Sequence, residues 1–344
     1  MKVLLISGDS AEGSLGYLGH MPDNIDITTN IIKICPSWPL YRKIFACMVQ
    51  SVSILPRINN YDVIVSMSTA NGLMISLIQR FLGDILKPSH IMVDIALPKL
   101  ISTQNRRLLA SIKYICKYNK KIICFGRLQK KFWDEIIGFC DRVEFIPFSI
   151  DLDIFNKVNN DNYGKYILSG GKSDRDYATL INAIKNISNK FMVIYGKDPV
   201  TGAIPKFDYI PPNLELIEEV PFGQYVDLLA NASFVIIPLK DVDYVTGQMV
   251  MLHSMALCKA VIVTKCSGTI DYIEDWKTGI FVEPYNDDDL RNKVTYLIDH
   301  PEVAKAIGIR ARKAVEDKFN HKIFAKNLSN IIIDVYNKSD RRRE

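Results

Sequence analysis

Residues 234–264 read FVIIPLKDVDYVTGQMVMLHSMALCKAVIVT, and this stretch decides the fold class. A short run rich in β-branched residues, 234–238, precedes a polar loop, an apolar helical pattern over 250–257 and a second such run at 260–264. Continuous apolar runs of this length are typical of strands that are buried on both faces of a parallel sheet. The stretch therefore predicts a strand, a covering helix and a second, parallel strand.

The same alternation extends outward from this stretch and fills both halves of the chain. Strands that alternate with helices in this way are typical of doubly wound α/β domains. The predicted strands are residues 3–7, 25–29, 63–66, 91–95, 121–125 and 143–147 in the first half, and 166–169, 191–195, 214–218, 234–238, 260–264 and 279–282 in the second. The chain after Pro284 is predicted to be helical, over 287–299, 301–318 and 321–338.

The chain has 344 residues, which is more than one hydrophobic core usually organises, so two domains are expected. The polar stretch 156–164 has few apolar side chains to bury and indicates the junction. We therefore expect a Rossmann-like N-terminal domain over 1–155 and a Rossmann-like C-terminal domain over 156–318. A last helix within 319–344 is expected to cross back to the N-terminal domain.

Composition excludes several classes of protein. An apolar fraction of 48% and a charged fraction of 24% exclude a disordered or fibrous chain, and a net charge of +5 selects no partner by itself. The seven cysteines lack CxxC spacing and mostly lie in apolar segments, which is typical of buried thiols in a reducing compartment. With no apolar stretch long enough for a signal peptide or a membrane span, we expect a cytoplasmic protein that contacts the inner face of the membrane only peripherally, if at all.

Ligands of open parallel sheets bind beyond the carboxyl ends of the strands, and two such places carry suitable residues. The first follows the strand at 166–169, where Gly170 and Gly171 permit close backbone approach. Lys172 and Arg175 come next and could neutralise a diphosphate. The alternative is an ordinary strand-to-helix turn with solvated charges.

The second place lies between the strand at 234–238 and the helical pattern over 250–257. Thr246, Gly247, Gln248 and Met249 form a turn that opens directly into the helix. Unpaired backbone N–H groups and the positive end of the helix dipole make such a turn suitable for an anion. The alternative is that Thr246 only caps a buried helix.

Taken together, these motifs resemble a known family. Residues 246–264, 267–273 and 279–284 are similar to the nucleotide-sugar motif of retaining glycosyltransferases with the two-Rossmann-domain (GT-B) architecture, the glycosyl transferases group 1 or family 4-like enzymes. Residues 146–151 resemble that family's interdomain junction, and residues 169–183 resemble its glycine turn with a diphosphate-binding cation. The similarity covers roughly residues 143–335 and is only topological before them.

The resemblance implies a GT-B fold, with two domains that face a cleft, and transfer of a hexosyl-type sugar with retained configuration. The donor substrate would be a nucleoside-diphosphate sugar held by the C-terminal domain, and neither a cofactor nor an obligatory metal is implied. Arg175, helped by Lys172, would stabilise the departing diphosphate together with the backbone amides of 246–249. The N-terminal domain would take a glycan or lipid-linked acceptor, as in assembly of a surface polysaccharide or another glycoconjugate.

The sequence departs from the family pattern at two positions. Many relatives carry two glutamates, eight positions apart, where this chain has Val245 and His253. His253 could hydrogen-bond the ribose of the donor or could be a core residue with its hydrogen bonds satisfied. The missing carboxylates keep two alternatives open: a nucleotide-sugar epimerase, and a non-catalytic scaffold protein with this fold.

The N-terminal half offers fewer candidates. Asp94 closes a predicted strand, where its carboxylate could orient the acceptor hydroxyl or the donor sugar, or could serve only as a cap or loop hydrogen-bond acceptor. The glycine-containing loop 9–19 could border a cleft or be an ordinary surface loop. Gly126 and Arg127 follow another strand and face the same edge of the sheet, unless Arg127 belongs to a solvated surface.

A cluster of basic residues lies between residues 106 and 131. Interleaved with apolar side chains, this cluster predicts either a face that docks on anionic lipid or a helix with a core stripe and a solvated cationic face. No module that reads nucleic acid accompanies the charge, so nucleic acid is not expected as a partner. The cluster consists of Arg106, Arg107, Lys113, Lys117, Lys120, Lys121, Arg127, Lys130 and Lys131.

Overall fold

The computed structural model describes residues 1–9, 15–34, 38–94, 105–156, 164–198 and 201–340. Their contacts divide the chain into two units, of which the first comprises Met1–Pro147 with Lys322–Glu344 and the second Phe148–His321. Each unit is built around one parallel six-stranded sheet with helices. The predicted pair of doubly wound domains is confirmed.

The sheet of the first unit has the strand order β2-β1-β3-β4-β5-β6, and all its neighbouring strands are parallel. Its strands are β1 (Lys2–Asp9), β2 (Asp26–Lys33), β3 (Val63–Ser66), β4 (Ser89–Asp94), β5 (Lys121–Cys124) and β6 (Val143–Phe145). Strand β2 lies at one edge and pairs with β1 alone. The chain switches direction across the sheet between β1 and β3.

The sheet of the second unit has the order β12-β11-β10-β7-β8-β9, again with all neighbours parallel. Its strands are β7 (Tyr166–Gly170), β8 (Phe191–Tyr195), β9 (Leu214–Glu218), β10 (Ala232–Ile237), β11 (Val261–Thr264) and β12 (Ile280–Val282). Strands β8 and β9 extend the sheet on one side of β7, and β11 and β12 extend it on the far side of β10. The direction in which strands are added to the sheet therefore changes between β7 and β10, which is the topological switch point.

Helices accompany both sheets. In the first unit they are α1 (Leu40–Ser53), α2 (Thr69–Leu82), α3 (Arg106–Ile115) and α4 (Arg127–Lys131), which continues into a π-helical turn at Phe132–Ile137. In the second unit they are α5 (Leu152–Asn156), α6 (Tyr177–Ile184), α7 (Phe222–Asn231), α8 (Gln248–Ala256), α9 (Asp287–Asp299) and α10 (Pro301–Lys318). The last helix, α11 (His321–Asp340), leads back to the first unit.

The core of the second unit lies on both faces of its sheet, as the continuous apolar runs predict. In β10, Val235 and Ile237 belong to one buried cluster, whereas Phe234 and Ile236 belong to another. Successive side chains of a strand point to opposite faces, so both faces of the strand are covered. The central strands are therefore a rigid platform for the loops that follow them.

Each predicted strand of the two sheets is found, with ends shifted by a few residues. The return of the last helix is also confirmed, since Phe324 packs edge-on against Tyr17 at 4.9 Å between ring centroids and Ser339 hydrogen-bonds Ser89 at 2.6 Å. The junctions differ from the predicted 155/156 and 318/319 and fall after Pro147 and His321.

Contacts of residues 148–156 explain the first shift. The amide of Phe148 donates to Tyr272 Oη (2.9 Å), the amide of Ile150 donates to the Phe319 carbonyl (3.0 Å), and the ring of Phe155 packs on His253. These partners all belong to the second unit, so the segment joins that unit. Of the polar stretch 156–164 that indicated the junction, residues 157–163 lie outside the described part of the chain.

No helix of the described residues is both long and apolar enough to cross a membrane. Cys47, Cys116, Cys124 and Cys266 are buried free thiols, and burial raises the pKa of each. Within the described ranges, no group of three or more His, Cys, Asp or Glu side chains is placed to hold a metal ion.

Candidate functional site

The two loops predicted to bind an anion follow β7 and β10, the neighbouring strands at the switch point of the second sheet. At a switch point, the loops beyond the two carboxyl ends diverge to opposite faces of the sheet and leave a crevice for a ligand. The sequence motifs could not establish that β7 and β10 are neighbours, because 61 residues separate the two strands and the pairing is tertiary.

The loop after β7 folds around its own arginine. Arg175 Nε donates to the carbonyl of Gly170 (2.8 Å), and Nη1 donates to the carbonyl of Ser173 (2.7 Å). Gly171 has a φ of +129°, and a Cβ there would lie 2.0 Å from Arg175 Nη2. Only glycine fits this position, since a side chain would be strained and would displace the guanidinium.

The charge of Arg175 has no ion-pair partner among the described residues. No carboxylate lies within 4.0 Å of it, although Asp174 is its sequence neighbour. Burial lowers the pKa of Arg175 below its usual range, an effect that the neighbouring groups, Tyr177 first, only partly oppose. A guanidinium nevertheless stays protonated, so the loop presents a desolvated positive charge that an anion would stabilise.

Backbone hydrogen bonds join this loop to the segment after β10. The amide of Lys240 donates to the carbonyl of Asp174 (2.9 Å), and the amide of Asp176 donates to the carbonyl of Pro238 (3.0 Å). Tyr244 Oη donates to Asp174 Oδ1 (2.8 Å), and this bond raises the pKa of Tyr244 further than burial alone does. The two predicted anion-binding elements therefore form one bonded assembly.

Helix α8 begins next to this assembly with unsatisfied amides. Gly247 is its N-cap with a φ of +89° and without a side-chain cap, so the alternative that Thr246 only caps the helix is wrong. The first turn closes from the Met251 amide to the Gly247 carbonyl (3.1 Å), and the amides of Gln248 and Met249 donate to no group of the described chain. An anion would complete their hydrogen bonding and interact favourably with the helix dipole.

Leu239 connects the arginine loop with the start of α8. Its backbone forms an isolated β-bridge with Arg175, and its amide donates to Thr264 Oγ1 (2.8 Å) at the end of β11. A Cβ on Gly247 would lie only 3.1 Å from Leu239 Cδ1, so the helix start packs directly on this buried residue. The guanidinium loop and the helix amides are thus held by one shared residue.

The side chain of Gln248 has a structural task. Nε2 of Gln248 donates to the carbonyl of Gly268, and both residues are buried. A Cβ on Gly268 would lie 2.7 Å from the amide nitrogen of Thr246, which places two backbones in direct contact. Gln248 can therefore offer only its backbone amide to a ligand, while its side chain fixes the helix start.

Ser169 is a candidate that the motif analysis did not single out. It lies at the end of β7, directly before Gly170, and is 3% exposed. Its Oγ is buried and has no hydrogen-bond partner in the described structure. An unsatisfied buried hydroxyl is costly, and this one lies at a strand end next to the glycine turn, which is why Ser169 is a candidate. The only sequence signal was its place before the glycine pair.

The two cations of the β7 loop differ in their surroundings. Lys172 is largely exposed and forms an ion pair with Glu219, which follows β9. Its charge is thus compensated within the protein, unlike that of Arg175. Of the two cations, Arg175 is thus the one without an ion-pair partner in the described chain.

His253 does not present its imidazole to solvent. It is 5% exposed and packs among the rings of Phe155, Phe222 and Tyr225, with Nδ1 3.4 Å from Tyr225 Oη. Burial lowers the pKa of His253 to about 3, so the ring is neutral. This environment favours the core interpretation over a hydrogen bond to ribose.

Asp94 of the first unit has both carboxylate oxygens in use. Oδ1 accepts from Thr69 Oγ1 (2.9 Å), and Oδ2 accepts from Trp133 Nε1 (2.7 Å) and Gln129 Nε2 (3.1 Å). The residue is 0% exposed. It ties α2, α4 and the π-helical turn to the end of β4, so the structure assigns it a positioning task rather than contact with a substrate.

The other predictions for the first unit concern the loop 9–19, Arg127 and the basic cluster. Residues 10–14 of the loop 9–19 lie outside the described part of the chain, and Arg127 is exposed with its guanidinium 5.2 Å from the ring centroid of Phe145. Helix α3 carries Arg106 and Arg107 on its exposed side and Ile112 in the core. The α3 part of the basic cluster therefore has the pattern of a core stripe with a solvated cationic face.

The chain is similar to proteins of known family. Residues 153–314 match the family described as glycosyl transferases group 1. An uncharacterized glycosyltransferase of Methanocaldococcus jannaschii is 27% identical over 199 residues, which are 57% of this chain and 54% of that protein. The capsular polysaccharide biosynthesis glycosyltransferase CapM of Staphylococcus aureus is 25% identical over 226 residues, which are 62% of this chain and 58% of that protein. The matches thus span little more than half of either relative.

Among solved structures, the Anabaena protein HepE in complex with UDP-glucose has a TM-score of 0.70 with 13% identity. The similarity covers 97% of this chain and 100% of that one. At this level of identity the likeness concerns the fold, and it confirms the predicted GT-B architecture of two Rossmann-like units.

Proposed function

Because residues 153–314 match the family of glycosyl transferases group 1, we propose that the protein is a retaining glycosyltransferase that uses a nucleoside-diphosphate sugar. The observation that carries the proposal is the desolvated Arg175 guanidinium, which has no ion-pair partner in the described chain and is joined through Leu239 to the open amides of α8. A diphosphate supplies the negative charge and the hydrogen-bond acceptors that these groups lack.

The proposed reaction breaks the bond between the anomeric carbon of the sugar and the diphosphate oxygen and forms a bond from that carbon to an acceptor oxygen. The diphosphate leaves with the electron pair of the broken bond, and the acceptor hydroxyl gives its proton to the departing diphosphate. Negative charge therefore grows on the leaving oxygen. Arg175 and the amides of Gln248 and Met249 would stabilise that charge, and a contact of this kind is typically worth about 3–4 kcal/mol in the transition state.

Two of the similar proteins, HepE and CapM, support the proposed classes of donor and acceptor. HepE binds UDP-glucose, which supports a nucleotide-sugar donor for this chain, and CapM is named for capsular polysaccharide biosynthesis, which supports a glycan or lipid-linked acceptor.

Calorimetric titration with UDP, GDP and ADP tests the diphosphate site. We expect at least one of them to bind and Arg175→Ala to weaken binding by roughly tenfold to a hundredfold, since a partly buried, charged hydrogen bond is lost. Lys172→Ala is the matched control in the same loop and should weaken binding by less than about threefold, because Lys172 is exposed and paired with Glu219.

Absence of binding for all three nucleotides, or equal affinity of wild type and Arg175→Ala, would contradict the proposal and favour a non-catalytic scaffold. Product analysis separates transfer from isomerisation. Incubation with a nucleotide sugar alone should leave its sugar unaltered, apart from slow hydrolysis, whereas an epimerase would convert it to an isomer still attached to the nucleotide.

A further inference from the structure

Helix α1 of the first unit turns a stripe of large apolar side chains toward solvent. These side chains are between 37% and 68% exposed and recur at helical spacing along the whole length of the helix. They are Tyr41, Ile44, Phe45, Met48, Val49 and Val52. Single exposed apolar residues are normal on a protein surface, but a continuous stripe indicates a surface that meets an apolar partner.

The opposite face of α1 is the one that the unit buries, and its residues are either small or polar. Ala46, Cys47, Gln50 and Ser51 are at most 9% exposed. The helix is therefore inverted relative to an ordinary surface helix, which places its large apolar residues in the core.

Buried hydrogen bonds hold α1 in this orientation. Gln50 Nε2 donates to the carbonyls of Ser7 (3.1 Å) and Asn30 (2.8 Å), and Gln50 Oε1 accepts from Asn71 Nδ2 (2.7 Å). Rotation of the helix to bury its apolar stripe would break all three bonds and leave buried polar groups unsatisfied. The exposed stripe is thus part of the folded unit.

Further exposed apolar side chains lie at the end of the neighbouring helix. Phe81 at the end of α2 is 80% exposed, and Ile85, three residues beyond the helix, is 69% exposed. Asn59, in the turn after α1, donates through Nδ2 to the carbonyl of Ile85 (3.1 Å) and so joins the two segments. Exposed apolar side chains of the first unit therefore lie both on α1 and at the end of α2.

All charged residues in the segment around α1 are positive, whereas Asp84 adjoins Ile85 in the sequence at the end of α2. No Asp or Glu occurs between Asp26 and Asp62, and this segment contains Lys33, Arg42, Lys43 and Arg57. Arg42 and Arg57 are exposed. If two copies of the chain paired through this face, cations would meet without any acidic partner on either α1, which is unfavourable. The complementary partner is an apolar surface that carries negative charge.

We propose that α1 docks the first unit on an anionic lipid bilayer, with the apolar stripe at the boundary between headgroups and acyl chains and the adjacent cations among the phosphates. An apolar helix face bordered by Lys and Arg and containing aromatic residues has the properties of an interfacial helix. The basic cluster on α3 lacks such a stripe, because of its large apolar side chains only Leu108 and Tyr114 are exposed, and Arg80 covers the Tyr114 ring at 4.0 Å.

Sedimentation with lipid vesicles tests the proposal and is independent of nucleotide binding. Wild type should bind vesicles of equal parts phosphatidylcholine and phosphatidylglycerol, and bind phosphatidylcholine alone much more weakly. Phe45→Ser combined with Val49→Ser should reduce binding roughly tenfold or more, because two inserted apolar side chains are lost. Both side chains are exposed, so the thermal midpoint of this variant should stay close to that of wild type.

Two matched variants complete the design. Ile210→Ser with Ile309→Ser removes two apolar side chains of similar exposure, 50% and 56%, from the second unit and should bind as wild type does. Arg106→Gln with Arg107→Gln should weaken binding by less than the α1 variant. The proposal is overturned if the wild-type protein does not bind anionic vesicles, or if only the α3 variant loses binding. It is also overturned if sedimentation velocity shows a dimer that dissociates in the α1 variant while vesicle binding is unchanged.

Discussion

Lys172 and Arg175 lie in one short loop and carry the same charge, yet their environments are opposite. Lys172 meets Glu219 in solvent, whereas Arg175 is held by the carbonyls of Gly170 and Ser173 without a carboxylate. Exposed ion pairs contribute little, whereas a desolvated charge interacts strongly with any anion that reaches it. At the scale of single residues, the candidate site is therefore centred on Arg175.

Asp94 provides a prediction at the same scale. Asp94→Asn replaces one carboxylate oxygen by an NH₂ group that cannot accept from Thr69, Gln129 or Trp133, so a buried donor loses its partner. We expect the free energy of unfolding to fall by about 1–3 kcal/mol while nucleotide affinity is unchanged. Urea denaturation and calorimetry measure the two effects. Unaltered stability together with lost transfer activity would instead make Asp94 a catalytic residue.

At the scale of elements, Leu239 links the β7 loop to the start of α8, because its backbone bridges Arg175 and its side chain packs against Gly247. Helix α8 itself is nearly all buried, so its position is determined by packing on β10 and β11. A rigid helix and a loop that wraps its own arginine are arranged before any ligand arrives. Preorganisation of this kind is what electrostatic stabilisation of a leaving group requires.

Gly171→Ala tests that arrangement. The new Cβ would stand 2.0 Å from Arg175 Nη2 at a φ of +129°, so we expect displacement of the guanidinium, a loss of about 1–3 kcal/mol in unfolding free energy and nucleotide binding as weak as that of Arg175→Ala. Gly202→Ala is the control, because Gly202 also has a positive φ (+73°) but no atom near the added Cβ. Nucleotide binding by Gly171→Ala at wild-type strength would contradict this account of the loop.

At the scale of the whole molecule, a buried, neutral histidine lies in each unit. His90 in the first unit hydrogen-bonds Ser66 and Asn119, and His253 in the second packs among aromatic rings. Burial lowers the pKa of both to about 3. Their imidazoles therefore take up protons near pH 6.5 when the chain unfolds and only near pH 3 while it is folded.

Because of these two histidines, the protein should become less stable as the pH falls below about 6.5. The contribution of His90 and His253 to stability is complete above about pH 6.5 and declines as the pH falls toward 3, because only the unfolded state gains protons. Each histidine lowers the free energy of unfolding by at most about 1.4 kcal/mol for each pH unit of this decline. His253→Phe, which suits the aromatic cluster, should make the decline between pH 6.5 and 5 shallower in urea denaturation. If the free energy of unfolding of the variant declined with pH as steeply as that of wild type, His253 would not be one of the residues that cause the decline.

The sequence determined the alternation of strands and helices, the two sheets and the loops that carry Arg175 and Gly247, since period and glycine position are local properties of the chain. Only the tertiary structure decided which groups meet. It paired Lys172 with Glu219, placed His253 among aromatic rings and turned the apolar stripe of α1 outward. Those outcomes depend on contacts between residues far apart in the chain, and a single helix pattern cannot tell a buried apolar stripe from an exposed one.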